Sequence, residues 1–290
     1  LVTGPTGCGK TTTLAAIIHQ INCDRRDHII TIEDPVEYVH YSKKGYVTQR
    51  EVGAMADTLS FRNALKYALR QDPDVILIGE MRDYDTIGIA ITSAETGHLV
   101  FGTLHTSSAS QTVGRIIDVF PVDQQPQVMT QLSLNLMGIL SQILLPRCDQ
   151  VGRIACCEVM KSNSAIRNSI RSNKVDTIYQ TIQTSSGEGM RTMDASLLEL
   201  YKSNIITYET GFPYVRDEAT RQQFKQLKAT RPSTGSGTGP VGAHAAQEAP
   251  QQKNSSATAT PTPAPEPEAQ AATGPRRLGS MVIPPWEKKG

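Results

Sequence analysis

The first twelve residues constrain this chain more than any other segment. Gly4-Pro5-Thr6-Gly7-Cys8-Gly9-Lys10-Thr11 fits G-x-x-x-x-G-K-[ST], with Leu1-Val2-Thr3 before it and a helical apolar pattern after it as far as Ile21. A strand, a glycine-rich turn and a helix in that order make one functional unit. The glycines let the backbone curl until several N–H groups face one anion, and the helix aims its positive end at the same point. Lys10 can then reach the β- and γ-phosphates of a nucleotide, and the Thr11 hydroxyl can ligate Mg2+. Gly4, Thr6, Gly7, Cys8, Gly9, Lys10, Thr11 and Thr12 are therefore candidate ligands of ATP, with Mg2+ as cofactor. A chance glycine-rich turn would lack the agreement of strand, loop and helix.

The pattern that follows alternates. Strands are expected over 28–33, rich in isoleucine, and over 46–50, 75–78 and 99–104; helices are expected over 60–70 and 84–94. The run Val75-Ile76-Leu77-Ile78 is fully apolar and suits the middle of a parallel sheet covered on both faces. Such alternation predicts a doubly wound α/β sheet. From about residue 108 the pattern turns helical, interrupted by a short strand over 153–159, with helices over 165–171, 175–182 and 193–202. The most apolar stretch, 132–145, is broken by Ser133, Asn135, Ser141 and Gln142 and reads as a core helix. Three regions are expected: an ATPase core over 1–123, a mostly helical subdomain over 124–228, and a disordered Pro/Ala/Thr-rich tail over 229–290. The tail ends in an apolar peptide around Trp286, the only tryptophan, which reads either as a short docking motif or as a solvated end.

Two further runs bear on phosphate chemistry. Asp72 to Glu80 is a strand ending in an acid, which sets Glu80 at the carboxyl end where α/β sheets bind ligands. Glu80 is a candidate for holding Mg2+, alongside Thr11, or for positioning the attacking water. Thr31-Ile32-Glu33-Asp34-Pro35-Val36-Glu37 ends another strand with three carboxylates, one of which can polarise water; the alternative is a solvated acidic turn. His98 and His105 bracket the strand at 99–104 and read as hydrogen-bonding switches or as structural histidines; no third ligand recurs nearby, so a metal pair is rejected. Arg50, Arg70 and Arg115 lie near element ends, where arginine can stabilise phosphoryl charge in cis or from a neighbouring subunit, or simply form a surface ion pair.

Charge and cysteine content exclude some classes. The 29 basic and 28 acidic residues leave a net charge of +1, without the basic footprint of a nucleic-acid partner. The five cysteines form no C-x-x-C pair, so no zinc site is expected, and their irregular spacing fits reduced thiols in the cytosol. No unbroken apolar run reaches the roughly 18 residues of a membrane span. Leu1 is not a methionine, and 1–3 reads as the end of a buried strand, so an N-terminal part is expected to precede it.

Four segments together carry a resemblance: 4–12, 31–37, 72–83, and the pair Glu95-Thr96-Gly97-His98 with Gly102-Thr103-Leu104-His105. In order and spacing they resemble the Walker A, Asp-box, Walker B and His-box motifs of the type II/IV secretion ATPases. The resemblance implies a RecA-like P-loop NTPase core. It also implies Glu37 as the water-polarising carboxylate, Glu80 as the Walker B glutamate, and His98 and His105 as the His-box pair. Arg50, Arg70 and Arg115 match arginines that approach the nucleotide in the ring. Three features resemble the pilus-retraction branch: the lack of paired C-x-x-C motifs, the run Ala165-Ile166-Arg167-Asn168-Ser169-Ile170-Arg171, and Met190-Arg191-Thr192-Met193-Asp194 before a helix. Ser169 stands where that branch has leucine, and Cys8 stands where the loop usually has serine, which suggests sensitivity to oxidation. The implied protein is a homo-hexameric ATPase, cytoplasmic and peripheral to the inner membrane. It would act with an inner-membrane platform protein of the pilus machinery and carry a PAS-like domain before Leu1. A pilus-assembly or type II secretion ATPase, or an accessory ring subunit without motor activity, remain alternatives.

Overall fold

The computed structural model describes residues 1–230. Its first half alternates: β1 (Val2–Thr3), α1 (Lys10–Asp24), β2 (His28–Glu33), β3 (Tyr46–Glu51), α2 (Phe61–Ala68), β4 (Val75–Ile78), α3 (Tyr84–Glu95), β5 (Leu99–Leu104) and α4 (Ala109–Asp118). Helix starts follow local side-chain chemistry. Ser60, Asp83 and Ser108 accept the N–H of the residue three positions on, which satisfies a donor the first turn leaves unpaired. The strands Ile29 to Ile32 and Val75 to Ile78 are buried throughout, as strands covered on both faces must be.

The second half departs from expectation. The run 132–145 is not one helix: α5 (Gln125–Asn135) ends inside it and β6 (Gly138–Pro146) takes over. A continuous apolar run carries no period, so helix and strand cannot be told apart by pattern alone. The polar residues within it are satisfied in place. Ser141 Oγ lies 2.8 Å from Thr3 Oγ1, while Gln142 donates to the Cys8 carbonyl at 2.7 Å and accepts from the Thr13 hydroxyl at 2.9 Å. After a tight return, β7 (Arg153–Lys161) runs antiparallel to β6, two residues longer than expected.

Seven strands form one sheet in the order β3-β2-β4-β5-β1-β6-β7, parallel except for the last pair. The region 124–228, expected as mostly helical, thus contributes two strands to the sheet that begins at β1, and the sheet runs through the boundary drawn at 123/124. The remaining helices are α6 (Ser164–Arg171), α7 (Thr177–Thr184), α8 (Met193–Lys202), α9 (Tyr208–Gly211) and α10 (Glu218–Thr230). Among the described residues no helix is long and apolar enough to cross a membrane. The tail expected from 229 and its Trp286 peptide lie outside the described residues, apart from the last two positions of α10.

Candidate active site

All four parallel strands next to the glycine-rich loop end at one edge of the sheet. That edge therefore collects the loop after β1, residues 33–37 after β2, residues 79–82 after β4 and His105 after β5. This is the place where open α/β sheets bind ligands. A cleft of about 530 Å³ opens there, bounded by Lys10, Thr11, Glu37, Glu80 and His105.

The loop's shape explains its glycines. Gly4 has φ +144°, and a Cβ there would lie 2.2 Å from the carbonyl oxygen of Gln142. Gly7 and Gly9 take φ +75° and +90°, left-handed values that side chains rarely adopt. The first N–H groups of α1 face the cleft without intrahelical partners, as at any helix start. Lys10 Nζ donates to the carbonyls of Gly4 at 2.9 Å and Pro5 at 3.3 Å, which holds the ammonium over the loop. Thr11 donates its hydroxyl to Glu37 Oε1 at 3.2 Å, and the Thr12 hydroxyl lies 2.9 Å from that of Tyr38.

Three carboxylates share the cleft but not an environment. Glu80 Oε1 is 2.5 Å from Arg82 Nε and 3.1 Å from His105 Nε2. The Arg82 hydrogen bond, above all, holds the Glu80 carboxyl below the usual range, and the charges of His105 and Lys10 act in the same direction. Glu33 is buried, accepts from the Thr31 hydroxyl at 2.7 Å and from Gln49 at 3.1 Å, and burial pushes its carboxyl up. Glu37, between them in sequence, is the acid bonded to Thr11. The cleft's donors to a metal are thus hydroxyl and carboxylate oxygens, a hard set that suits Mg2+. Among the described residues no group of three or more His, Cys, Asp or Glu could hold a metal by itself.

The sequence pattern that defines the family described as Type II/IV secretion system protein matches residues 1–208. The chain belongs to this family. A twitching motility protein of Neisseria gonorrhoeae is 55% identical over 211 residues, covering 73% of this family member and 56% of the relative. A type IV pilus retraction ATPase, PilT, of Pseudomonas aeruginosa is 52% identical over 211 residues, covering 73% and 60%. The chain thus spans 56–60% of the length of these relatives. A solved structure described as the pilus retraction motor PilT with bound ADP superposes with a TM-score of 0.71 at 50% identity, covering 77% of this chain and 62% of that one.

Not every residue singled out in the sequence of this secretion-family chain reaches the cleft. His98 sits at the opposite end of β5 from His105, about 20 Å away at strand rise. Its Nδ1 lies 2.9 Å from the Ser93 carbonyl and 3.1 Å from the Thr96 hydroxyl, so in this chain it ties the end of α3 to β5. Arg50 is half-buried on β3, and Arg70 and Arg115 are exposed on other surfaces. None of the three lines the cleft of its own chain. Cys8 is only 2% exposed, so the expected sensitivity of its thiol to oxidation is not supported.

Conversely, the cleft contains Arg82, Thr103, Phe61 and Arg153, to which the sequence assigned no role of their own, and Glu33, one of the three carboxylates of the 31–37 run. Arg82 had a signal, since it follows Glu80 by two residues in Gly79-Glu80-Met81-Arg82. Arg153 had none: it arrives at this edge only because β7 runs antiparallel to β6.

Proposed function

We propose that this chain is an ATP-hydrolysing subunit of a hexameric ring motor that powers type IV pilus retraction. It would work at the cytoplasmic face of the inner membrane and pull through a platform protein. The carrying observation is the convergence of the Lys10 ammonium, the Thr11 hydroxyl and the carboxylates of Glu37 and Glu80 in one cleft. Its relatives described as twitching motility and pilus retraction proteins support the direction of work.

The roles follow from chemistry. Loop N–H groups and the start of α1 take the phosphates, and Lys10 leaves the carbonyls of Gly4 and Pro5 for phosphate oxygens. Thr11 and Glu80 are the residues to hold Mg2+, which neutralises charge on the phosphates when bound. Glu37 orients the water and receives its proton. Glu80 is held ionised by Arg82, so it is ready for a role that requires negative charge. A ring places further groups on each cleft from the neighbouring subunit, and turnover then changes subunit orientation as a rigid-body step.

The test measures ATP turnover of the full-length ring and motility of the host strain. Lys10→Ala and Glu80→Gln should each lower kcat by at least about a hundredfold. Near wild-type turnover in a clean ring preparation of either variant removes the site assignment. A deletion strain should be hyperpiliated and immobile, whereas loss of pili would assign the motor to assembly instead.

A further inference from the structure

Outside the cleft, one buried carboxylate is placed in a way that neither packing nor helix capping demands. Glu158, in the middle of β7, is 2% exposed. Its Oε1 accepts the N–H of Ala109 at 2.7 Å, and its carboxylate also accepts the N–H of Met193. Ala109 is the first residue of α4 and Met193 the first of α8. One carboxylate therefore receives the positive ends of two helices that come from distant parts of the chain. Both helices already have side-chain caps, Ser108 and Thr192, so Glu158 is not there for want of a cap. Burial makes such a charge costly and pushes the Glu158 carboxyl up, and two helix dipoles with two N–H donors offset part of that cost.

What α4 carries explains the position. It begins four residues after His105, whose Nε2 is 3.1 Å from Glu80 in the cleft. A second link runs beside the first. Arg216 Nη2 donates to Ser107 Oγ at 2.8 Å, while its backbone N–H donates to Asp194 Oδ1 at 2.6 Å. Asp194, on α8, is 2% exposed and also accepts the Tyr179 hydroxyl at 3.0 Å. The loop 105–108 is thus fastened at its far end to α8 by two separate attachments, one buried and one exposed.

We propose that Glu158 is a positioning residue: it holds the loop 105–108 so that His105 meets Glu80, and it ties that loop to α8. The proposal rests on reading the cleft as an ATP-hydrolysing site. Glu158→Gln in the full-length protein keeps shape and one acceptor oxygen but brings an NH2 group against two N–H donors. Amide hydrogen exchange over 105–112 should then quicken about tenfold, with α1 and β4 unchanged. In the same variant kcat should fall about tenfold with KM for ATP within about twofold, the mark of a lost transition-state arrangement. Combining it with His105→Ala should lower kcat no further than His105→Ala alone, because both act through one group. Ile29→Val, a destabilising change in a separate apolar cluster, is the control and should move neither exchange over 105–112 nor kcat.

Wild-type exchange over 105–112, or losses that multiply in the double variant, would overturn the proposal. Arg216→Ala removes the exposed attachment and serves should the glutamine variant not fold; it should quicken exchange in the same segment by about threefold, and unchanged exchange there would equally overturn it. A wild-type ring that does not hydrolyse ATP sinks the functional reading instead, and the exchange measurement still decides whether Glu158 fastens the loop.

Discussion

Glu33 and Glu80 stand at the ends of two strands that pair with each other, yet their protons are held differently. Glu33 is buried, and the Glu37 and Glu51 carboxylates act on it in the same direction, so its carboxyl titrates above its ordinary value. Glu80 has Arg82 and titrates below. For Glu33 this sets a pH dependence. Between the ordinary and the raised value, the folded chain binds more protons at this site than the unfolded chain does, so stability falls as pH rises through that interval. Glu33→Gln removes the titration, and the melting temperature of the variant should decline less than that of the wild type as pH rises above the ordinary carboxylate range. Equal slopes would mean that Thr31 and Gln49 hold the carboxylate ionised in spite of burial. Ser169 is a second case in which surroundings decide. It replaces an expected leucine at a buried position, and its hydroxyl lies 2.8 Å from that of Thr177. The swap therefore exchanges an apolar contact for a hydrogen bond between α6 and α7. Ser169→Ala should cost about 1 kcal/mol in denaturant unfolding; no change would show the bond to be idle.

Among the elements, α10 depends on one side chain. Phe224 is the only buried residue of that helix; it stacks on Tyr201 at 4.8 Å, and Tyr208 and Phe212 close around it. Phe224→Ala should cost about 3–5 kcal/mol locally, enough to undock the helix. Limited proteolysis should then cut within 216–230 while nucleotide binding stays intact, and resistance equal to the wild type would contradict the dependence. Elements with their own start signals were legible in the sequence. The helices behind Ser60, Asp83 and Ser108 begin where a capping side chain stands, and the isoleucine-rich β2 and the apolar β4 carry strand composition. β6 was not legible, because its identity comes from its partners. Val2 and Thr3 pair with Leu140 and Ser141, and no local pattern over 132–145 announces that match. The same holds in the cleft: Lys10, Thr11, Glu37 and Glu80 sit in contiguous motifs, whereas Arg153 gains its place only when β7 folds back beside β6.

At the scale of the whole molecule, the three arginines pose a definite question. Arg70 and Arg115 are exposed and Arg50 half-buried, and all three lie away from the cleft of their own chain. A guanidinium on the outside of one subunit can still complete the cleft of the next, since a head-to-tail interface that closes makes a ring. Complementation separates the two possibilities. Subunits with Lys10→Ala have a dead cleft but intact arginines; subunits with all three arginines changed to alanine have an intact cleft and nothing to give a neighbour. Each preparation alone should be nearly inactive. In an equal mixture, about a quarter of clefts pair a live site with an arginine-bearing neighbour, so turnover should recover toward about a quarter of the wild-type value. Recovery of that size requires the arginines to act across the interface, because neither subunit type holds a complete site. Turnover equal to the average of the two separate preparations would mean that they serve only the surface of their own chain, and that each cleft draws its positive charge from Lys10, Arg82 and Arg153.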